Sequence, residues 1–465
     1  MLSQENVQNL GFYSPRYLQL IRLLSANEGM RRHRICAESD NLVDFMKTYE
    51  YDYGAWPMII SKARVAEFDA FIKVFPDMVY KAINSYFQGD SREFSRYFQS
   101  PALIYELLQD AQIDNRELLN RYDTLYCGQV LKILEVNSGS NIGGWQLDYL
   151  HPQFSRILAS YRQTRQWHLK QRHAVNAMLT ALTDCITRTL PETSKGNILI
   201  YFQDDKDDGL KQLRIDLANL YQEIKPEHFP EGKIMYFSDC ADISFTGQCR
   251  VKYRQETIDV LIMPEPDRPI FPDNFCRQLI QSRLANRLIF PDSPLHTIIG
   301  NKHALALLHE EAVQQALSAE EVHMINRHVP WTAKMTREAV FWRGERWALR
   351  QLLIREQAAF VIKKSHSLQG RDVYVGRYLQ PDAWLMHLDE VLGEGDWLAQ
   401  EFCQADPVLM CDQASGLNLY RQVWGVFDIN NAYGGAFVRA NPLDGGNGVI
   451  NSANGATEFA VFEEA

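Results

Sequence analysis

Through the first 120 residues, apolar positions recur mainly at helical spacing. Val65, Phe68, Phe71, Ile72 and Phe75 fall three or four residues apart, and residues 17–24 carry a similar stripe. The period then changes. Leu131 to Leu134 reads as a strand that runs on into Glu135-Val136-Asn137. Alternation by two puts Glu135 and Asn137 on one face and Val136 on the other. Tyr122, Leu125 and Tyr126 mark a partner strand, with a turn near Cys127-Gly128. Such a hairpin sets Asp123 beside Glu135 and Asn137. It ends in Ser138-Gly-Ser-Asn-Ile-Gly-Gly144-Trp145, where glycine allows a tight backbone path. Residues 154–190 read as one or two helices with a charged face.

From Ser194 onward, strands and helices alternate. Apolar runs at 197–202, 233–237, 258–263 and 287–290 are separated by helical stretches at 208–221 and 273–284. That order predicts a parallel, Rossmann-like sheet. No GxGxxG follows its first strand, so a dinucleotide is not expected. After Asn301-Lys302 come a helix and an extended segment through Val329-Pro330-Trp331. Strands at 359–363, 373–375, 397–402, 420–429 and 434–440 follow, with a polar end near Asn451 to Gly455.

A chain of 465 residues exceeds one compact core, so several units are expected. The boundaries we place are a mainly helical N-terminal region at 1–115, strands and helices at 116–193, a Rossmann-like unit at 194–299, and a nucleotide-binding unit at 300–465. The net charge of −10 argues against a nucleic-acid partner. No apolar run is long enough for a membrane span, and the start MLSQENVQNLGF lacks the features of a signal peptide. Eight cysteines form no CxxC pair, so neither a zinc site nor a redox motif is indicated, and reduced thiols in a cytoplasmic protein are expected. His366, His323 and His328 lack metal-ligand spacing.

Chemistry concentrates in a few polar groups on apolar strands. Asp123, Glu135 and Asn137 form an oxygen-only ligand set, the kind Mg²⁺ takes when it also holds phosphates. The same alternation in a half-solvated strand would put polar residues on one face without any metal. Lys363 ends an apolar run and precedes a polar loop that includes Gln369 and Gly370. A strand-end lysine and loop amides suit phosphate oxygens, whereas Lys364 points the other way. A solvent-facing hairpin accounts for that run equally well. Gln400-Glu401 at the end of another strand offers contacts for adenine and ribose. Arg421 and Arg439 sit in apolar strands, where an arginine pairs a carboxylate or holds phosphate.

Taken together, these motifs resemble the circularly permuted ATP-grasp family, similar to the synthetase domain of glutathionylspermidine synthetase and to bacterial carboxylate–amine ligases. The matching residues are Arg121-Tyr-Asp123 with Leu134-Glu-Val-Asn137, Asn301-Lys302, Phe360-Val-Ile-Lys363 with its loop to Gly370, Gln400-Glu401, Gly435-Ala-Phe-Val-Arg439 and Ile450-Asn-Ser452. In an unpermuted chain of that family the Glu-x-Asn strand comes last; here it precedes the lysines. The resemblance covers residues 115–150 and 195–465. It implies an α/β fold with a Rossmann-like domain ahead of the nucleotide unit and a helical N-terminal region. It implies Asp123, Glu135 and Asn137 as Mg²⁺ ligands, and Arg121 and Arg439 as catalytic charges. It implies Lys302, Lys363, Gln369, Gly370, Gln400 and Glu401 around ATP, and Arg421, read above from its apolar strand, is placed with them as a nucleotide-binding candidate. The lid loop is poorer in glycine than the family pattern, and Lys364 replaces its usual proline. No amidase unit of the glutathionylspermidine kind is expected in front.

The expected activity is ATP-dependent joining of a small carboxylate to an amine through an acyl phosphate, in specialised metabolism. The turn residues Ser138, Asn141, Gly143, Gly144 and Trp145 are the candidates for holding the acid, unless the turn merely closes a hairpin and Trp145 packs in the core. A non-catalytic nucleotide-binding homologue and a small-molecule phosphotransferase remain as alternatives. The acid and the amine are unspecified, and a homodimer is left open.

Overall fold

The longest strand, Leu417–Ile429, is buried along most of its length because it lies in the middle of an eight-stranded sheet. Our computed structural model describes residues 9–36, 42–110, 113–202, 208–263, 272–366, 372–414, 416–443 and 448–465. The main path of this sheet runs Met58–Ile60, Thr457–Glu464, Tyr433–Pro442, Leu417–Ile429, Leu119–Cys127, Val130–Ser138. Val408–Cys411 also pairs with the central strand, and Leu169–Lys170 with Thr457–Glu464. Met58–Ile60 joins in parallel and every other pairing is antiparallel.

Period-two alternation gives this sheet two unlike faces. Tyr122, Tyr126, Trp424 and Val426 point to one side, where the N-terminal helices Lys62–Ile72 and Phe75–Phe87 cover them. Phe71 meets Tyr122 edge-on at 4.5 Å between ring centres, and Phe68 stacks on Tyr433 at 5.6 Å. Each such fully buried aromatic contributes roughly 1.5–3 kcal/mol by leaving water. Arg121, Asp123, Arg421 and Val423 alternate with these residues and take the opposite face.

Two further sheets approach that second face. Ile198–Tyr201 lies between Ile234–Phe237 and Val260–Ile262, all parallel, and Ile289 bridges to Val260. The helices Ala174–Thr189 and Asp208–Ile224 cover one side of it, and Asp273–Leu284 covers the other. The third sheet is antiparallel, ordered Thr332–Lys334, Trp397–Glu401, Phe360–Lys364, Val373–Val375. Its back packs on the helices Leu349–Arg355 and Pro381–Val391 through Leu352, Leu353, Trp384 and Leu388.

Several expectations meet the structure directly, the parallel pairing of the 198, 234 and 260 strands and the helix Asp273–Leu284 among them. Others need correction. The helical N-terminal stretch contains the buried strand Met58–Ile60, which is too short for periodicity to reveal. The run at 258–263 is two elements, because Glu256–Ile258 ends a small antiparallel sheet before Val260–Ile262 begins. The run at 287–290 makes a single bridge. The polar end leads into the strand Thr457–Glu464, whose burial on both faces removes any alternation. No helix among the described residues is long and apolar enough to cross a membrane.

Candidate functional site

The hairpin forms in the expected register. Cys127 pairs with Val130 across Gly128-Gln129, both with φ near +60°, which is the twist a two-residue hairpin loop requires. Asp406 fixes this turn by accepting from the backbone N–H of both residues, at 2.8 and 2.7 Å. Asp123 stands opposite Glu135, and Arg121 opposite Asn137. A register shift after Asp123 leaves Leu134 without a partner. Such a bulge re-aims a backbone group, and here the Leu134 carbonyl turns outward to accept from Lys363 Nζ at 2.9 Å and Gln400 Nε2 at 3.3 Å. The large sheet and the four-stranded sheet are tied together at this carbonyl.

Charge is dense around it. Asp123 receives Arg121 in a two-pronged pair, Nε–Oδ1 2.8 Å and Nη2–Oδ2 3.2 Å, and Arg439 Nη2 lies 2.7 Å from Oδ2. Burial would raise the Asp123 carboxyl, but the Arg121 and Arg439 guanidiniums outweigh burial and hold it well below the usual carboxylate range. Glu135 is paired with Lys302 at 3.4 Å and keeps 29% of its side-chain surface exposed. Lys302 is placed by the turn before the helix His303–Leu307; Asn301 anchors that turn by donating to the Phe98 carbonyl and accepting from the His303 N–H. Lys363 is 5% exposed and also donates to Gln400 Oε1. Burial pulls its ammonium down to about 8; Glu135 opposes this and Lys302 adds to it.

One cleft collects most of these groups. It is lined by Asp123, Glu135, Lys363, Gln400, Glu401, Arg421 and Arg439, and bounded at its outer end by Phe402 to Ala405 and Asn451. Gln400 turns its amide inward, to Lys363 and to Thr332 Oγ1, rather than outward. Glu401 binds Arg343, and its N–H is taken by the Trp331 carbonyl. Asn137 stays on the sheet, its amide 3.4 Å from the Arg121 carbonyl. Gln369 and Gly370 lie outside the described residues.

The glycine-rich turn divides. Ser140, Asn141, Gly143 and Trp145 line a second cavity, described below. Ser138 reaches the His296 carbonyl. Gly144 has φ +98° and no room for a side chain, because a Cβ there would come within 2.2 Å of the Phe437 ring. Trp145 both lines the cavity and packs on Phe45 and Tyr149. A residue the sequence pattern did not single out holds this turn: Asp292 accepts from Ser140 N–H at 2.6 Å, Ser140 Oγ at 2.8 Å and Met263 N–H at 2.7 Å. The available signal was an aspartate just past the 287–290 run, where crevices form in parallel sheets. Cys403, Gln404 and Ala405 were missed for a plainer reason: they line the cleft from a segment with no periodic pattern.

The donor set for a cation is two carboxylates and an amide. No cluster of three or more His, Cys, Asp or Glu that could hold a metal occurs among the described residues. Mg²⁺ needs no such cage, since one or two carboxylates plus phosphate oxygens and water complete its octahedron. Asp123, Glu135 and Asn137 would fit that requirement; Glu135 is the more exposed carboxylate, while both Asp123 oxygens face arginines.

No family profile and no curated protein sequence matches this chain. Among solved structures it is similar to a glutathione synthetase-like effector from Globodera pallida in its apo form, with a TM-score of 0.55 at 9% identity, over 88% of this chain and 90% of that one. At that identity the likeness shows a shared fold alone. A protein from Methylobacillus flagellatus named as a gamma-glutamylcysteine synthetase aligns over 83% of this chain and 87% of its own, at 10% identity and a TM-score of 0.39, too low to carry an argument.

Proposed function

We propose that this chain is an ATP-dependent carboxylate–amine ligase with a circularly permuted ATP-grasp arrangement. The observation that carries the reading is one sheet face bearing Asp123, Glu135 and Asn137, surrounded by Arg121, Arg439, Lys302 and Lys363 and roofed by the Lys363 sheet. The fold shared with a glutathione synthetase-like protein supports it. So does the chain order, in which the Glu-x-Asn strand precedes both lysines. In this reading one wall of the nucleotide cleft is the large sheet, with Asp123, Glu135, Arg421 and Arg439, the other is the four-stranded sheet, with Lys363 and Gln400, and 194–299 is the unit beside it.

The chemistry follows from leaving groups. A carboxylate oxygen leaves poorly, so the acid attacks the γ-phosphorus of ATP, the bond to ADP breaks, and an acyl phosphate forms. An amine, attacking as the neutral base, then expels phosphate and leaves an amide; one proton goes to solvent. The transition state of the first step spreads negative charge over the phosphoryl oxygens, where placed cations act. Arg121 and Arg439 stand at the γ-phosphoryl end, and Lys302 and Lys363 hold the phosphates. Arg421 and residues 402–405 border the nucleoside end. Mg²⁺, held by Asp123, Glu135 and Asn137, would neutralise phosphate charge. Gln400 keeps Lys363 in place by accepting from it. No protein nucleophile is needed.

Purified protein should release ADP when given ATP, Mg²⁺, and mixtures of acids and amines, with amide products seen by mass spectrometry. A stable phosphorylated product without amide would instead favour a phosphotransferase. ATP binding without turnover on any acid–amine pair would favour a non-catalytic homologue.

A further inference from the structure

The face that carries the charged cluster does not end with it. Along Leu119–Cys127, residues Leu119, Arg121 and Asp123 share one side by alternation; along Leu417–Ile429, so do Arg421, Val423, Phe427 and Ile429. The register sets Gly425 against Asp123, Phe427 against Arg121 and Ile429 against Leu119. Asp123, Arg421 and Val423 line the nucleotide-side cleft, whereas Leu119, Phe427 and Ile429 line a second cavity of about 300 Å³. Arg121 stands between the two, one end on Asp123 and Nη1 on the Gly143 carbonyl at 3.1 Å, and Gly143 is itself part of the second cavity's wall.

The second cavity also lies at the carboxyl ends of the parallel strands. Ile200 and Ile262 come from neighbouring strands whose following helices, Asp208–Ile224 and Asp273–Leu284, lie on opposite faces of the sheet, the place where an α/β sheet opens a crevice. Its other walls include Trp145, Met178, Leu213 and Leu217, with Ser140, Asn141 and Gln146 its polar side chains. No charged side chain lines it among the described residues. Among the described residues this lining offers no opposite charge to an ammonium or a second carboxylate, and its predominantly apolar surface favours apolar groups. Its charged neighbour is the Arg121 guanidinium, which complements a carboxylate at the mouth.

We infer that this cavity takes the apolar portion of the acid substrate, a carboxylic acid bearing an aromatic ring or branched aliphatic chain, with its carboxylate at Arg121 facing the nucleotide. This rests on the ligase reading above. Asp292 is a positioning residue in this arrangement, because it fixes the Ser140 turn that forms the rim.

The probe is 3-phenylpropanoate against acetate and glutamate, titrated calorimetrically into the full chain with Mg²⁺ and a nonhydrolysable ATP analogue, alongside ADP release with amines. 3-Phenylpropanoate should bind at least about tenfold more tightly than either polar acid. Met178→Trp and Leu217→Trp, each at a half-buried wall position, should remove that preference while the analogue still binds; two positions guard against one variant failing to fold. Preference lost in the variants, but no ADP release with any amine, upholds the apolar pocket and overturns the ligase reading. ADP release with acetate or glutamate, unchanged by either tryptophan, upholds the ligase and overturns the pocket. Equal binding of all three acids overturns the pocket as well.

Discussion

Neutralising the two carboxylates of the hairpin should have very unequal consequences for stability and similar ones for turnover. Asp123 is held by two guanidiniums whose side chains are 12% and 6% exposed, with three contacts between 2.7 and 3.2 Å. Asp123→Asn keeps the shape but leaves two buried cations side by side without their anion. Breaking a buried pair from one side costs about 3–5 kcal/mol. Glu135 has one ion-pair contact, at 3.4 Å, and a partly exposed side chain, so Glu135→Gln should cost about 0–1 kcal/mol. Both variants remove a carboxylate from the proposed cation site. Losing one electrostatic element of that kind lowers turnover roughly a hundredfold or more, about 2.7–4 kcal/mol in the barrier. The assay is thermal unfolding followed by circular dichroism, paired with ADP release on the same preparations. Asp123→Asn should unfold several degrees below the parent, Glu135→Gln close to it, and both should be nearly inactive. Glu135→Gln turning over within about threefold of the parent would refute the site. An unchanged unfolding temperature in Asp123→Asn would refute the electrostatic argument.

Lys363→Met removes one charged donor to the phosphates and should weaken ATP binding roughly ten- to a hundredfold, the equivalent of about 1.5–3 kcal/mol, read by calorimetry; unchanged affinity would take Lys363 out of the nucleotide site. Asp428 is fully buried, accepts from Asn120 and Tyr122, and is pushed by burial up to about 7. Its folded pKa lies above the unfolded value, so stability should fall as pH rises from about 4 to about 7 and then level off. Asp428→Asn should flatten that profile and stabilise the chain at pH 8 by about 1–3 kcal/mol in urea unfolding; a variant that follows the parent at every pH contradicts the assignment. Gly144→Ala combines a positive φ with a 2.2 Å approach to Phe437 and should cost more than about 2 kcal/mol, whereas a change under about 0.5 kcal/mol would show that the turn relaxes freely.

How much could be read from the chain depends on which signal each element carries. The Asp123–Glu135 hairpin was legible because polar residues interrupt apolar strands at period two and a glycine marks the turn. The parallel sheet was legible from alternating strands and helices. Met58–Ile60 and Thr457–Glu464 were not, since strands buried on both faces or only three residues long lose their period. The bulge at Leu134 was invisible as well, yet it aims the carbonyl that joins Lys363 and Gln400 to the sheet. Sequence alone treats Asp123 and Glu135 as equal ligands. The register of the Arg439 strand makes one a buried, doubly paired charge and the other an accessible one. The second cavity draws its walls from seven separate segments, and no local pattern could assemble them.

Transfer of oxygen from acid to phosphate tests the ligase reading most directly. Acids labelled with ¹⁸O in the carboxylate, spanning aromatic, aliphatic and amino acids, are turned over with ATP, Mg²⁺ and an amine, and the released phosphate is weighed by mass spectrometry. An acyl phosphate intermediate predicts one ¹⁸O atom in each phosphate released with amide formation. ADP release with unlabelled phosphate would contradict it.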